Sequence, residues 1–521
     1  MRRPRSASDW ETLVAVAITL ALIGWALIWR SAFTSTVEAA FATVSAFLNW
    51  YYVAAVAAFL GAMLWLAVSR YHSVRLGDDG EMPEYAMGAW LSMLFAAGTG
   101  VGMLFWGVAE PIMHLQDNPF ASDAPGEDQI VALRLAFFHW GLSGWAIYAL
   151  IGLCLAFFAY RLKRPLTLRS ALHPLLGDAC DGIVGRAVDV IAVVATVFGV
   201  TTTLALGARQ MATGLNEVFG IARTDTVELT VVAGIIAIAT TSVVLGLKRG
   251  IRRLSEFNVL LTFALLLFFL IWGPTNRVLA ITLETAGAYL QTLPRQSFFT
   301  AATGGDDWMS EWTIFFWGWW IAWAPFVGMF IARISRGRTL GEFFLGVFLF
   351  PTIFTFLWFG VLGGTALEMQ ATGQADIAAA TEGEPARALF VTIREVGAPG
   401  GVATAVNGMV IFLVAVFFAT SADSGTLVVN TILSDGESRP SVVRRVAWSV
   451  GIGALTAAMI LAGDIEILQR SVVLAALPFT VVLFAMTAGL LAALARERQG
   501  VRAGRKQRRP EEPWSGEDRP D

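Results

Sequence analysis

The sequence predicts an all-α polytopic membrane protein of about twelve transmembrane helices, and three observations carry that expectation. Of its 521 residues, 56% are hydrophobic and 15% charged, a composition that excludes a soluble globular domain. Apolar runs long enough to cross roughly 30 Å of hydrocarbon recur at 12–30, 50–69, 85–109, 131–160, 187–211, 229–247, 256–273, 312–333, 341–365, 403–429, 443–462 and 470–494. Between the runs, charge alternates in kind. Arg2, Arg3 and Arg5, then Arg70 and Arg75, Arg161 to Arg164, Lys248 to Arg253, Arg333 to Arg338, Arg444 and Arg445, and Arg496 to Arg509 fall on one side. Asp117, Asp123, Glu127 and Asp128, then Asp306 and Asp307, Glu382 and Glu384, and Asp464 and Glu466 fall on the other. The basic side is expected to be cytoplasmic, with both termini there, in the cell inner (plasma) membrane. The net charge of −3 says little, because charge is sorted by side rather than summed. Nothing in the sequence points to nucleic acid.

Residues 1–9 read as a short cytoplasmic N-terminus and 10–69 as two leading helices. Leu13 to Trp29 is long enough to span and lacks a cleavage site, so it is expected to be retained. Helix three holds Gly98-Thr99-Gly100-Val101-Gly102. Each glycine costs a helix about 1 kcal/mol relative to alanine, and the missing side chains free backbone groups for a ligand. The run serves either close helix packing or an unwound binding segment, the form that midplane sites in transporters take. No strand precedes it, so it is no dinucleotide fingerprint. Helix four carries Trp140, Trp145 and Tyr148 within an arc of about 140° on the helical wheel. His139, just before them, reads as a structural histidine, and His72, His114 and His173 fall in loops.

After helix seven, Val278, Leu279, Leu283, Ala286, Leu290 and Leu293 recur near helical spacing in a segment too polar to span, so 275–295 is expected as an amphipathic periplasmic helix. Helix eight is the richest element. Trp312, Trp317, Trp319, Trp320 and Trp323 stand within twelve residues. An interfacial belt explains Trp312 alone, because Trp323 lies roughly 16 Å deeper at 1.5 Å per residue. A wall of π faces suits a quaternary ammonium ion, which donates no hydrogen bond and gains about 0.5 to 2 kcal/mol from each ring. Helix ten carries a polar island, Thr420-Ser421-Ala422-Asp423-Ser424-Gly425. Its hydroxyls either supply uncharged oxygen ligands for a monovalent cation such as sodium or bond back to the preceding turn. Asp423 either pairs with a cytoplasmic-side arginine or lines a pathway. The tail, 495–521, begins basic, ends acidic and contains Pro510, Pro513 and Pro520, a composition expected to be disordered. Cys154 and Cys180 form no disulfide framework, and no metal cluster, nucleophile triad or phosphate loop marks an enzyme.

These residues resemble the betaine/carnitine/choline secondary transporters (BCCT family), closest in motif to the sodium-coupled glycine betaine branch. The signature runs from Trp312-Thr313 through Trp319-Trp320 into Pro325-Phe326-Val327-Gly328-Met329 and Arg333 to Arg338. The helix-three run to Glu110-Pro111, the Trp140, Trp145 and Tyr148 set, and Thr420 to Gly425 follow in the family's order. The resemblance implies a LeuT-type fold, with inverted five-helix repeats at 85–273 and 312–494, and a homotrimer. It also implies uptake of a quaternary ammonium compatible solute, with sodium as coupling ion and no other cofactor.

By the same resemblance, Trp140, Trp145, Tyr148 and Trp320 are expected to form the substrate cage. Trp323 joins it on occlusion, and Gly98, Gly100 and Gly102 face the substrate. Phe315, Trp317 and Trp319 would line the pathway. Sodium would take the carbonyls of Ala96, Thr99 and Phe417 and the hydroxyls of Thr420 and Ser421. A second sodium would use Thr196 and Phe326, although Val200 stands where that site has another threonine. Exchangers of the family replace the ion with an arginine on helix five, whereas residues 187–208 here hold no cation. Choline carriers place an aspartate at the third glycine of the helix-three motif. Here that position is Gly102, which favours a zwitterion carrying its own carboxylate, such as glycine betaine or a close analogue, over choline; a choline or carnitine carrier of the same family, proton-coupled or an exchanger, is the alternative.

Overall fold

The computed structural model describes residues 9–98, 100–120, 126–245, 248–436, 441–463 and 465–507. All regular structure among these residues is helical, apart from an isolated bridge between Arg75 and Thr339. Two helices lead, α1 (Asp9–Ile28) and α2 (Arg30–Val68). The sequence reading began the second at residue 50. It starts at Arg30 because nothing between 31 and 49 is a glycine or proline that would stop a helix.

The third apolar run is not one helix. It breaks into α3 (Met87–Gly98) and α4 (Val101–Gln116), with Gly100 extended at φ −153° and ψ −176°. Neither half alone reaches across roughly 30 Å at 1.5 Å per residue. The fourth span is likewise jointed, α5 (Glu127–Trp140) into α6 (Leu142–Ala156) through Gly141. A connection of short turns includes α7 (His173–Leu176) and buries Cys180. Next come α8 (Ile183–Phe219), α9 (Asp225–Leu245) and α10 (Lys248–Trp272). Then α11 (Thr275–Ser297) turns off at 114° to α10. It buries Val278, Ile281, Tyr289 and Leu293 and leaves Leu279, Leu283 and Leu290 exposed, so only one side of its apolar set meets the bundle.

The eighth span opens with α12 (Asp306–Met309), passes through a π-helical turn at Ser310–Ile314 and continues as α13 (Phe315–Ile334). It is followed by α14 (Leu340–Phe343) and α15 (Phe350–Thr372). The connection to the tenth span holds α16 (Ile377–Thr381) and α17 (Arg387–Glu395), which buries Leu389, Phe390 and Ile393. Last are α18 (Gly400–Ile432), α19 (Val442–Ala462) and α20 (Ile465–Gln507). Helix α20 continues past 495, where the sequence reading placed disorder, and Glu497 meets Arg161 at 2.6 Å. Residues 1–8 and 508–521 lie outside the described residues. Ten helices are long and apolar enough to cross a membrane among the described residues, and the bent α10–α11 pair adds an eleventh. The broken α3–α4 run accounts for the remaining expected span.

At the centre, α13 lies against α6, α8 and α20. Its crossing with α6 is set by two glycines. A Cβ on Gly328 would lie 2.2 Å from Ile151 Cγ2 and 3.1 Å from the Gly152 nitrogen. Gly328→Ala is therefore expected to destabilise the protein by about 1–3 kcal/mol through overpacking, read as a lower melting temperature in detergent. An unchanged melting temperature would mean that the two helices can separate at no cost.

Candidate substrate cage and ion site

The break in the third span builds the floor of the site. Gly100 caps α4 without a side-chain hydrogen bond, and although Met103 N–H donates to the Gly100 carbonyl at 3.2 Å, the N–H groups of Val101 and Gly102 remain at the positive end of the helix. Gly100, Val101, Gly102 and Met103 line a cavity shared with Trp140, Gly144, Trp145, Tyr148, Thr203, Trp319, Trp320, Trp323, Val327 and Thr355. A Cβ on Gly102 would sit 2.7 Å from Trp319 Cη2 and 2.8 Å from Trp140 Cη2. Only glycine lets two indoles come this close to the backbone. Gly98 closes α3 on the far side of the break.

The rings meet edge to face. Trp140 lies 4.8 Å from Trp320, Tyr148 lies 5.7 Å from Trp320, and Trp145 lies 5.7 Å from Tyr148, centroid to centroid. Trp319 stacks on Trp320 at 5.1 Å. The indoles are anchored: Trp320 Nε1 donates to the His139 carbonyl at 2.8 Å, and Trp319 Nε1 donates to Thr203 Oγ1 at 3.2 Å. That carbonyl lies beside the Gly141 joint, where Leu142 N–H donates to the Tyr289 hydroxyl at 3.1 Å. Tyr148 Oη and Trp323 Nε1 are buried and make no hydrogen bond among the described residues. They are polar handles at the edge of an otherwise apolar chamber.

Of the three expected pathway residues, Trp319 lines this chamber, and Phe315 lines a second cavity with Phe105, Trp106, Trp312, Arg209 and Glu311. Phe315 and Trp319 stack at 5.5 Å, so one aromatic pair lies between the two spaces. Trp312, buried and 5.5 Å from Trp106, is part of that second cavity rather than an interfacial anchor. Trp317 lines neither cavity. It is buried edge-on to Phe138 at 5.2 Å, because its helix face turns toward the fourth span.

On the other side of Trp323 lies a third cavity, lined by Gly100, Asn258, Phe326, Phe417, Thr420, Ser421 and Ser424 among others. Thus Phe417, Thr420 and Ser421 share one space. Thr420 Oγ1 donates back to the Val416 and Phe417 carbonyls at 2.9 and 3.0 Å. Ala96 lies in α3, and Thr99 falls outside the described residues. Asn258, which the sequence reading passed over, buries both side-chain polar atoms without a partner among the described residues. Thr196 and Phe326, the expected second-ion pair, each have another contact. Thr196 donates to the Ala192 carbonyl at 2.7 Å, Phe326 packs edge-on to Trp323 at 4.9 Å, and Val200 occupies the space at Gly425. Asp423 is resolved as an ion pair with Arg445 at 3.1 Å.

A polar cluster behind the cage was not foreseen. Glu110 Oε2 accepts from Trp140 Nε1 at 2.7 Å, and Glu110 Oε1 lies 2.7 Å from His139 Nδ1 and 3.4 Å from His114 Nε2. His139 Nε2 lies 3.0 Å from Thr313 Oγ1. His114, expected in a loop, is fully buried in α4. The available signal was a carboxylate within an apolar run, which in a membrane segment calls for a partner.

Comparison with known proteins agrees with this architecture over nearly the whole chain. The profile of the betaine/carnitine/choline family transporters matches residues 12–499. The glycine betaine transporter OpuD of Bacillus subtilis is 39% identical over 504 residues, covering 96% of this chain and 97% of that protein. A glycine betaine transporter of Acinetobacter baylyi is 38% identical, covering 93% and 72%. The high-affinity choline transport protein of Escherichia coli is 39% identical, covering 87% and 67%. With that match spanning the broken helix, the aromatic chamber and the helix-ten hydroxyls, the chain belongs to the betaine/carnitine/choline transporter family and is a multi-pass membrane transporter rather than an enzyme.

Proposed function

We propose that this transporter imports a quaternary ammonium zwitterion, glycine betaine or a close analogue, by sodium symport with alternating access. The observation that carries the reading is the pairing of two unlike surfaces in one chamber. Rings of Trp140, Trp145, Tyr148 and Trp320 offer π faces to a trimethylammonium group. The uncapped start of α4, with Tyr148 Oη and Trp323 Nε1, offers donors to a carboxylate. Identity alone does not select the substrate, since relatives named for glycine betaine and for choline stand at 39% alike. Gly102 favours the zwitterion, because it brings no carboxylate to offset a net cation.

Alternating access is supported by the two aromatic pairs that bound the chamber, Phe315–Trp319 toward one cavity and Trp323–Phe326 toward the other. Helix contacts recur in exchanged pairs, α6 with α13 and α4 with α15, then α8 with α19 and α9 with α18, the pattern that inverted repeats at 85–273 and 312–494 would give. The chain sits in the plasma membrane with its basic loops inside, and assembles as a homotrimer, with the exposed leucines of α11 as one contact. Uptake of labelled betaine, choline, carnitine and a sulfonium analogue into proteoliposomes, with and without sodium, tests the reading. Choline uptake exceeding betaine uptake, or transport indifferent to sodium, overturns it.

Sodium is assigned to the Phe417 carbonyl and the Thr420 and Ser421 hydroxyls, with Ala96 and Thr99 completing the set across the cavity. Combining Thr420→Ala with Ser421→Ala is expected to raise the sodium concentration for half-maximal uptake by on the order of ten- to a hundredfold. Should the double variant reach half-maximal uptake at the parental sodium concentration, these hydroxyls only cap their own helix.

A further inference from the structure

We propose that Glu110 is a specificity-determining residue for cationic headgroups, acting through the indole of Trp140 rather than by touching substrate. The inference rests on the quaternary ammonium reading above and adds to it the origin of the discrimination between a cation and a neutral group of the same shape.

Glu110 is fully buried in α4, and its ion-pair partners among the described residues are both histidines. An indole nitrogen only donates, so the 2.7 Å contact fixes Glu110 Oε2 as acceptor from Trp140. The other oxygen faces His139 Nδ1 at 2.7 Å, while His139 Nε2 faces the Thr313 hydroxyl at 3.0 Å. In the ionised arrangement that the proposal requires, His139 donates from Nδ1 to the carboxylate and accepts at Nε2 from Thr313. With His114 Nε2 at a longer 3.4 Å, three side-chain nitrogens face Glu110, and in that arrangement each can donate to the ionised carboxylate. The charge then lies one hydrogen bond from a cage ring, with no lysine or arginine paired to it among the described residues.

Two consequences follow from general electrostatics. A carboxylate accepting the indole N–H pushes electron density into the ring, and the π face turned to the chamber becomes more negative, strengthening its hold on a cation. A buried anion without a cation is costly, and a trimethylammonium group on the opposite side of Trp140 offsets part of that cost. A neutral tert-butyl group fills the same space and does neither. Positioning alone would treat both groups alike, because a misplaced ring loses contact with each.

The test compares glycine betaine with its carbon isostere, 3,3-dimethylbutanoate, as competitors of labelled betaine uptake by the full-length protein in proteoliposomes. Glu110→Gln keeps an oxygen for Trp140 and an amide for His139 while removing the charge. It is expected to weaken betaine about five- to tenfold, the scale of one strengthened cation–π contact, and to leave the isostere within about twofold. Glu110→Asp keeps the charge and is expected to restore the parental ratio of the two inhibition constants even if both weaken. With Trp140→Phe in the background, which retains a ring and removes the N–H, Glu110→Gln is expected to shift that ratio less than it does in the parent, leaving only the through-space part. An equal loss for both compounds in Glu110→Gln, or an unchanged ratio, overturns the proposal. If Glu110→Gln does not fold, the ratio in Glu110→Asp and in Trp140→Phe decides. In Trp140→Phe alone it must fall toward the isostere, and a parental ratio there overturns the proposal equally. A parent that takes up no betaine overturns the substrate reading first and this inference with it.

Discussion

Trp320→Leu is expected to raise the KM for glycine betaine about five- to thirtyfold through loss of the ring's quadrupole alone, since about 1 to 2 kcal/mol is at stake at one desolvated cation–π contact. The structure adds a second cost. Trp320 Nε1 donates to the His139 carbonyl beside the Gly141 joint, and leucine leaves that acceptor without its partner, worth about 1 kcal/mol or more. Its ring also stacks on Trp319 and meets Trp140 and Tyr148 edge-on, so its removal loosens three other walls. Trp320→Phe separates these contributions, because it restores a π face without the N–H. KM should fall in the order leucine, phenylalanine, parent. Parental KM in a folded Trp320→Leu protein would remove Trp320 from the cage.

The features legible in the sequence are those carried by residues close together in the chain. The glycine run at 98–102 announced a break, and the helix parts there because glycine gives up side-chain packing and helix propensity together. The tryptophan wall of helix eight was readable from spacing, and Trp319, Trp320 and Trp323 do share one chamber. Trp317 lines neither that chamber nor the second cavity, and wheel position fixes direction from the axis but not which neighbour lies there. It meets Phe138 of the fourth span. The Glu110 cluster was not legible for a different reason. Its members come from α4, α5 and the π-helical turn, with a sequence separation of 29 from Glu110 to His139 and of 174 from His139 to Thr313. No local pattern marks that meeting. The same holds for Thr420, whose hydroxyl both faces a cavity and bonds back to its own turn, so sequence alone leaves both roles open.

Gly102→Asp is expected to abolish most betaine uptake and to create choline uptake, and a companion Gly102→Ala separates shape from charge. Any Cβ at this position lies under 3 Å from the ring ends of both Trp319 and Trp140, which are rigid, so one indole must swing away. Overpacking of that kind costs about 1–3 kcal/mol and deforms the cage for every substrate. Gly102→Ala should therefore weaken betaine by on the order of tenfold and leave the choline-to-betaine ratio flat. Aspartate adds a carboxylate to a chamber with few polar groups, which costs several kcal/mol unless a cation accompanies it. Choline supplies a net positive charge and no competing carboxylate, whereas betaine's own carboxylate is repelled and its place at the α4 N-terminus is contested. The ratio of choline to betaine uptake should rise in Gly102→Asp well above that in Gly102→Ala, at matched expression and with both proteins folded in the membrane. If the two variants give the same ratio, charge at position 102 does not reach the substrate, and the preference for a zwitterion has to reside in the donors at Tyr148 and Trp323 instead.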